Sequence, residues 1–158
     1  MIYLTRYESP LGPILLAADG VGLTGLWFVG QKYFPSFSEE EALEEETPVL
    51  AETIRWLNVY FSGASPDFLP PLHPQGSSFR QAVWNVLLTI PRGQTMTYGE
   101  IARRLNVRSA QAVGGAVGHN PVSILIPCHR VVGSDGSLTG YAGGLERKER
   151  LLQLEGAR

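Results

Sequence analysis

The sequence predicts an α+β protein in two parts: a small antiparallel sheet with one helix over residues 1–74, then a helical region over residues 75–158. Three observations predict it. Residues 2–29 hold three short apolar runs separated by turn signals, the pattern of an antiparallel meander. Beyond Thr47, apolar residues recur mainly at helical spacing. Between the two parts lies a stretch rich in proline (Pro66, Pro70, Pro71, Pro74), and the charge changes sign across it. Residues 1–74 carry 3 Lys/Arg against 10 Asp/Glu, whereas residues 75–158 carry 10 against 5.

Ile2–Tyr7 alternates apolar and polar residues as a half-buried strand does, and Ser9-Pro10-Leu11-Gly12 is a turn. Pro13–Ala18 is a second strand, Asp19-Gly20 a tight turn, and Val21–Val29 a third strand. Residues 30–47 read as a loop, with an acidic run (Glu39–Glu41, Glu44–Glu46) suited to solubility. Thr47-Pro48 opens a helix, because threonine caps and proline suits the first helical position. Leu50, Ile54, Leu57 and Phe61 should face the sheet, and Gly63 ends the helix. Residues 62–76 read as a linker with little regular structure, and His73 as an ordinary linker residue.

The second part opens at Ser77-Ser78. Phe79–Ile90 is an amphipathic helix with Phe79, Val83, Val86, Leu87 and Ile90 on one side, stopped by Pro91-Arg92-Gly93. Thr97 and Glu100 form a capping box. The helix that follows should bury Ile101, Ala102 and Leu105 and end at Asn106. Ser109 caps another helix through about Val117, which makes a helix-turn-helix pattern. In this second helix Ala110, Ala112, Gly114, Gly115 and Ala116 leave almost no bulk. An interior glycine costs about 1 kcal/mol relative to alanine, so close approach of another surface is the reason to keep them. With Arg103 and Arg104 beside it, that surface reads as a DNA groove, the narrow minor one rather than the major. Val122–Ile126 reads as a strand, Ser134–Ser137 as a turn, Gly140–Gly144 as a flexible loop, and Leu145–Leu154 as a last helix followed by Glu155-Gly156. Its charges at Arg147–Arg150 suit a solvated face.

Composition excludes several classes. One cysteine rules out an intramolecular disulfide and a Cys/His structural zinc site of the usual kind. No apolar run is long enough for a membrane span, and no signal segment is visible, so no membrane partner is expected. A reactive free thiol favours the reducing cytoplasm. Neither a GxGxxG after a strand nor a P-loop appears, so no cofactor is expected. The net charge of −2 is not that of an obvious nucleic-acid binder, but the basic second part is suited to phosphate contacts.

The chemistry gathers at Ile124–Gly133, ILIPCHRVVG. Cys128 is the only cysteine, and His129 and Arg130 follow it. A thiol beside ionisable groups has the composition of an activated nucleophile, since a thiolate forms more readily near a cation. A buried structural cysteine is the competing reading. Pro127, which places the thiol at an element end, and the His129-Arg130 pair weigh against it.

PCHRV, preceded by an apolar run and followed by Gly-Tyr-Ala-Gly-Gly, resembles the active-site signature of the O6-alkylguanine-DNA alkyltransferases, and the resemblance covers at least Ser77–Gly156. It implies a ribonuclease H-like first domain (1–74) and a DNA-binding and alkyl-transfer domain (75–158). It also implies direct-reversal repair: an O6-alkylguanine flipped out of double-stranded DNA gives its alkyl group irreversibly to Cys128, with no cofactor and in a single turnover. The resemblance makes His129 the base, acting through a water because neighbours on an extended segment point apart, and Glu155 the carboxylate that orients it. It makes Tyr98 the residue serving the leaving base, and Asn120 the brace between the helix-turn-helix and the active-site segment. Val131, Tyr141, Ala142 and Gly143 are implied to contact base and alkyl group. Ala110, Gln111, Gly114, Gly115, Arg103, Arg108 and Arg130 are implied to meet DNA.

Gln111 departs from the family's usual arginine at the start of the recognition helix. Glutamine can still hydrogen-bond an orphaned cytosine, but with less reach and no charge; Arg108 stands close enough to substitute. A monomer in solution is expected. The alternatives are an alkyltransferase-like protein that binds alkylated guanine with little or no transfer, a cysteine hydrolase, and an alkylation-sensing regulator.

Overall fold

The computed structural model describes residues 1–158, and the chain divides into two compact units, Met1–Gln75 and Gly76–Arg158.

In the first unit β1 (Ile2–Ser9), β2 (Gly12–Ala18) and β3 (Leu23–Phe28) form the expected meander. A fourth strand, β4 (Ala42–Glu44), lies inside the acidic segment expected to be loop and pairs in parallel with β1, giving the order β3-β2-β1-β4. Three residues with two of them exposed leave no apolar alternation to read; backbone pairing alone makes this strand. α1 (Pro48–Phe61) starts where expected: the Thr47 hydroxyl accepts from the Leu50 amide. Its buried side is Leu50, Thr53, Trp56, Leu57 and Tyr60, whereas Ile54 and Phe61 stay partly exposed. The stripe is rotated from the expected one because Thr53 satisfies its hydroxyl on the Val49 carbonyl and so can be buried.

The proline-rich segment is docked on β3. Leu23 donates to the Pro71 carbonyl at 2.8 Å, and His73 donates to the Leu23 carbonyl at 2.7 Å. Gly22 permits this approach, since a Cβ there would lie 2.6 Å from the Pro71 oxygen. His73 Nδ1 pairs with Asp19 at 2.6 Å. Asp19 also accepts from the amides of Val21 and Gly22. Burial would raise its pKa, but those amides and His73 outweigh this and bring it down. Prolines remove donors but not acceptors, which is why the segment still zips onto a strand edge.

In the second unit α2 (Ser78–Leu87) is capped by Ser77 and buries Val83, Trp84 and Leu87. Trp84 donates its indole N–H to the Ala116 carbonyl at 2.8 Å, a tie from α2 to α4 absent from the expected core. β5 (Met96–Thr97) leads directly into α3 (Tyr98–Arg104). Thr97 caps α3, and Glu100 reaches back to accept from the threonine hydroxyl. Leu105 follows α3 as its cap and is only partly buried, while Asn106 ends the turn at φ 54°. α4 (Ala110–Gly118) begins at the Ser109 cap.

Val122–Ile126 is not a strand. It is a buried turn in which Ile124 sits at φ 73° and Ile126 donates to the Val122 carbonyl. Asn120 replaces the ladder that a strand would have had. Its Nδ2 donates to the carbonyls of Ile126 (2.8 Å) and Val122 (3.3 Å), and its Oδ1 accepts from the Val122 amide. A run of apolar residues reports burial, not backbone shape. A 3₁₀ turn follows at Cys128–Arg130, then β6 (Val131–Val132), which pairs in parallel with β5, and finally α5 (Leu145–Leu154).

Candidate active site

Cys128 lies at the start of the 3₁₀ turn and is 5% exposed. The segment is helical, not extended, so the expected divergence of Cys128 and His129 does not follow from strand geometry. His129 is fully buried and its Nε2 lies 2.7 Å from Glu155 Oε2, while its Nδ1 is buried without a hydrogen bond. A ring nitrogen left without a partner in the interior is costly, so this one is available for a proton or a water.

Glu155 follows α5 and is held by two residues through three hydrogen bonds. Besides His129, Arg130 donates through Nε to Oε1 at 2.8 Å and through Nη2 to Oε2 at 3.1 Å. Burial alone would raise the Glu155 pKa, but hydrogen bonds and charge from His129 and Arg130 hold it at about 2. Arg130 also donates to the Ile90 carbonyl at 2.6 Å. This corrects its expected place on a DNA-facing surface: the guanidinium is spent inward, on the carboxylate.

The resting thiol is not activated in the way that its neighbours in sequence suggested. Burial pushes the Cys128 pKa up, opposed by contact with the Asn120 side chain and by the Lys148 charge. His129 is pushed down, first by burial and then by the charges of Arg130 and Lys148, although Glu155 pulls the other way. At neutral pH the pair is therefore thiol and neutral imidazole.

Lys148 corrects the expected solvated face of α5. It is fully buried, with Nζ donating to the carbonyls of Thr139 (2.7 Å) and Gly140 (3.4 Å). Burial lowers its pKa to about 8, which Arg158 reinforces and Cys128 resists. At the other end of the loop Arg147 donates to the Gly143 carbonyl at 3.1 Å. The 140–144 segment is thus tied at both ends rather than free. No signal in the local charge pattern distinguished Lys148 from its exposed neighbours Glu149 and Arg150; only its i, i+3 and i, i+4 relation to Leu151 and Leu152 placed it on the buried stripe.

Tyr141 buries its hydroxyl beside Ser123, without a hydrogen bond of good geometry, and its pKa is raised by burial and by the nearby Cys128. Ala142 is partly buried, Gly143 and Val131 are buried, and Gly144 donates back to the Tyr141 carbonyl. Tyr98 opens α3. Its hydroxyl accepts from Thr139 Oγ1 at 3.2 Å, and its ring lies against Gly114, where a Cβ would be 3.8 Å away. On α4, Ala110, Gln111 and Gly115 are exposed along with Arg103 and Arg108, and nothing lies within 4 Å of a Cβ at Gly115. Internal packing explains Gly114 in part and Gly115 not at all.

The chain matches two family models end to end: the ribonuclease-like domain of 6-O-methylguanine DNA methyltransferase over residues 2–74, and the DNA-binding domain of the same protein over residues 78–157. The chain belongs to this methyltransferase family. Among its relatives, the methylated-DNA–protein-cysteine methyltransferase of Methanosarcina acetivorans is 45% identical over 157 residues, 99% of each chain. That of Haemophilus influenzae is 44% identical, over 98% of this chain and 86% of its own. The O6-methylguanine methyltransferase of Mycobacterium tuberculosis superposes with a TM-score of 0.87 at 43% identity, covering 100% of this chain and 94% of that one. The same organism's protein solved in complex with DNA gives 0.87 at 42% identity, over 98% and 93%. No helix of the present structure is long and apolar enough to cross a membrane.

Proposed function

We propose that this protein is a direct-reversal DNA repair protein that takes an alkyl group from O6-alkylguanine in double-stranded DNA onto Cys128. The observation that carries the reading is the buried Cys128 directly followed by a buried imidazole, whose Nε2 is fixed at 2.7 Å on a carboxylate. The damaged base cannot be reached within the stack, so it enters the site flipped out. His129 Nδ1 has no direct partner, so the Cys128 thiol gives its proton to His129 through an intervening water, and the imidazolium is stabilised by Glu155. Sulfur attacks the alkyl carbon, the carbon–O6 bond breaks, and its electron pair stays on the purine. Tyr98 donates toward that purine, and in net the thiol proton ends on guanine while a thioether forms on Cys128. Asn120 holds the turn before the cysteine. Tyr141, Ala142, Gly143 and Val131 wall the base pocket. Ala110, Gln111, Gly114, Gly115, Arg103 and Arg108 present the DNA-facing surface. The sequence holds no second cysteine to relieve the thioether, so each molecule reacts once.

Mass spectrometry of the protein mixed with duplex DNA containing one O6-methylguanine tests this. The expected result is one methyl per molecule, on the Cys128 peptide and absent in Cys128→Ser. Tight binding of the damaged duplex with no mass gain would instead make it a damage-recognition protein.

A further inference from the structure

We propose that Thr139 is a positioning residue for transfer: its hydroxyl fixes that of Tyr98 so that the tyrosine proton is aimed at the departing base. The inference rests on the reading of Tyr98 as the donor to that base. Thr139 Oγ1 donates to the Tyr98 oxygen at 3.2 Å. A phenol has a single proton, so an oxygen already accepting at one in-plane position keeps its own proton for the other.

Both partners are held from behind. Tyr98 is fixed by the Thr97 cap, by the β5–β6 pairing beside it and by its ring lying close to Gly114, where a Cβ would be 3.8 Å from it. Thr139 is fixed through its carbonyl, 2.7 Å from the ammonium of the fully buried Lys148. Burying a lysine is expensive unless its donors are satisfied, and here the hydrogen bond that satisfies one of them holds the backbone of the residue that touches Tyr98. Threonine hydroxyls commonly satisfy themselves on nearby backbone; this one reaches a side chain 41 positions away in sequence.

During transfer the carbon–O6 bond breaks with its electron pair on the purine, and Tyr98 shares its proton with that pair. Negative charge grows on the phenolic oxygen, and the Thr139 O–H already points at it. The thiol proton passed to His129 completes the balance. A donor set in place beforehand costs no reorganisation as the charge develops.

The test is a double-mutant cycle on the rate of methyl transfer from duplex O6-methylguanine, with melting temperature and affinity for the duplex measured in parallel. Thr139→Val is expected to slow transfer about tenfold with duplex affinity unchanged. Thr139→Ser should restore the rate, and adding Thr139→Val to Tyr98→Phe should cost nothing more. Thr139→Ala gives the same readout should the valine variant not fold. An unchanged rate in the hydroxyl-deleted variant, no rescue by serine, or an equal loss with and without the tyrosine hydroxyl would overturn the proposal. A wild-type rate in Tyr98→Phe would overturn the reading of Tyr98 as donor, and this proposal with it, whereas the absence of methyl transfer by the wild type would overturn the repair reading itself.

Discussion

At the residue scale the site depends on Glu155, one carboxylate with two cationic or ionisable partners. Glu155→Gln leaves Arg130 without its counter-charge and gives His129 a neutral partner whose amide can present the wrong group. Removing one member of a buried ionic cluster costs about 3–5 kcal/mol, so this variant should unfold at clearly lower urea concentration and transfer more slowly. The acid side of the stability curve carries the same information. His129 has its folded pKa lowered, so below its unfolded value of about 6.5 the unfolded chain takes up protons that the folded one refuses, and stability falls with pH. Glu155, at about 2 in the fold against 4.5 unfolded, adds a second loss between those values. Melting temperatures from pH 8 to 3 should therefore fall in two stages, and Glu155→Gln should shrink the lower one, leaving the part that the lowered Asp19 contributes. A wild-type melting temperature flat across pH 7 to 5 would remove the claim for His129.

At the element scale α4 separates what packs from what faces outward. Val113, Ala116 and Val117 are buried, whereas Gln111 and Gly115 are exposed. Gly115→Leu should leave the melting temperature within a few degrees, because the position is exposed and nothing stands within 4 Å of a Cβ there, yet weaken duplex binding at least tenfold. Gln111→Arg should raise duplex affinity and transfer rate, with no change toward a free alkylated base; identical duplex kinetics would mean that Gln111 costs nothing. The same element shows what sequence can report. Helix starts were legible because Thr47, Thr97 and Ser109 each advertise a cap, and each caps as expected; Ser77 also caps, one residue before a helix that starts at Ser78 rather than at the expected Phe79. Backbone pairing without side-chain pattern was not legible: β4 is mostly exposed, β5 and β6 are two residues each, and Val122–Ile126 is buried all round whatever its dihedrals. In the site, Cys128 and His129 stood out by residue type, whereas Glu155 was picked out only by the family resemblance, and its 2.7 Å contact with His129 needed the approach of a helix end. Lys148 and the inward turn of Arg130 were hidden because a charged residue in a charged run looks solvated until its partner carbonyls or carboxylate are in place.

At the scale of the whole molecule, the reaction alters a part of the second unit that is continuously buried, from Val122 to His129. The thiol of Cys128 is buried and in contact with the Asn120 side chain, and the same amide closes the Val122–Ile126 turn by three hydrogen bonds. A thioether has no S–H, is a weaker partner for that amide and carries at least one added carbon. Overpacking of a close-packed interior costs about 1–3 kcal/mol, and the strain would fall on Asn120, which stands just past the His119 cap of α4 and ties the active-site turn to the end of that helix. The alkylated protein should therefore melt several degrees below the unreacted one and bind duplex DNA more weakly, with the deficit growing from methyl to larger alkyl groups. Asn120→Ala should already be destabilised before reaction and should lose less on alkylation, because the brace that transmits the strain is gone. Equal melting temperatures for the unreacted and methylated wild type would show that the turn absorbs the methyl group without moving its brace.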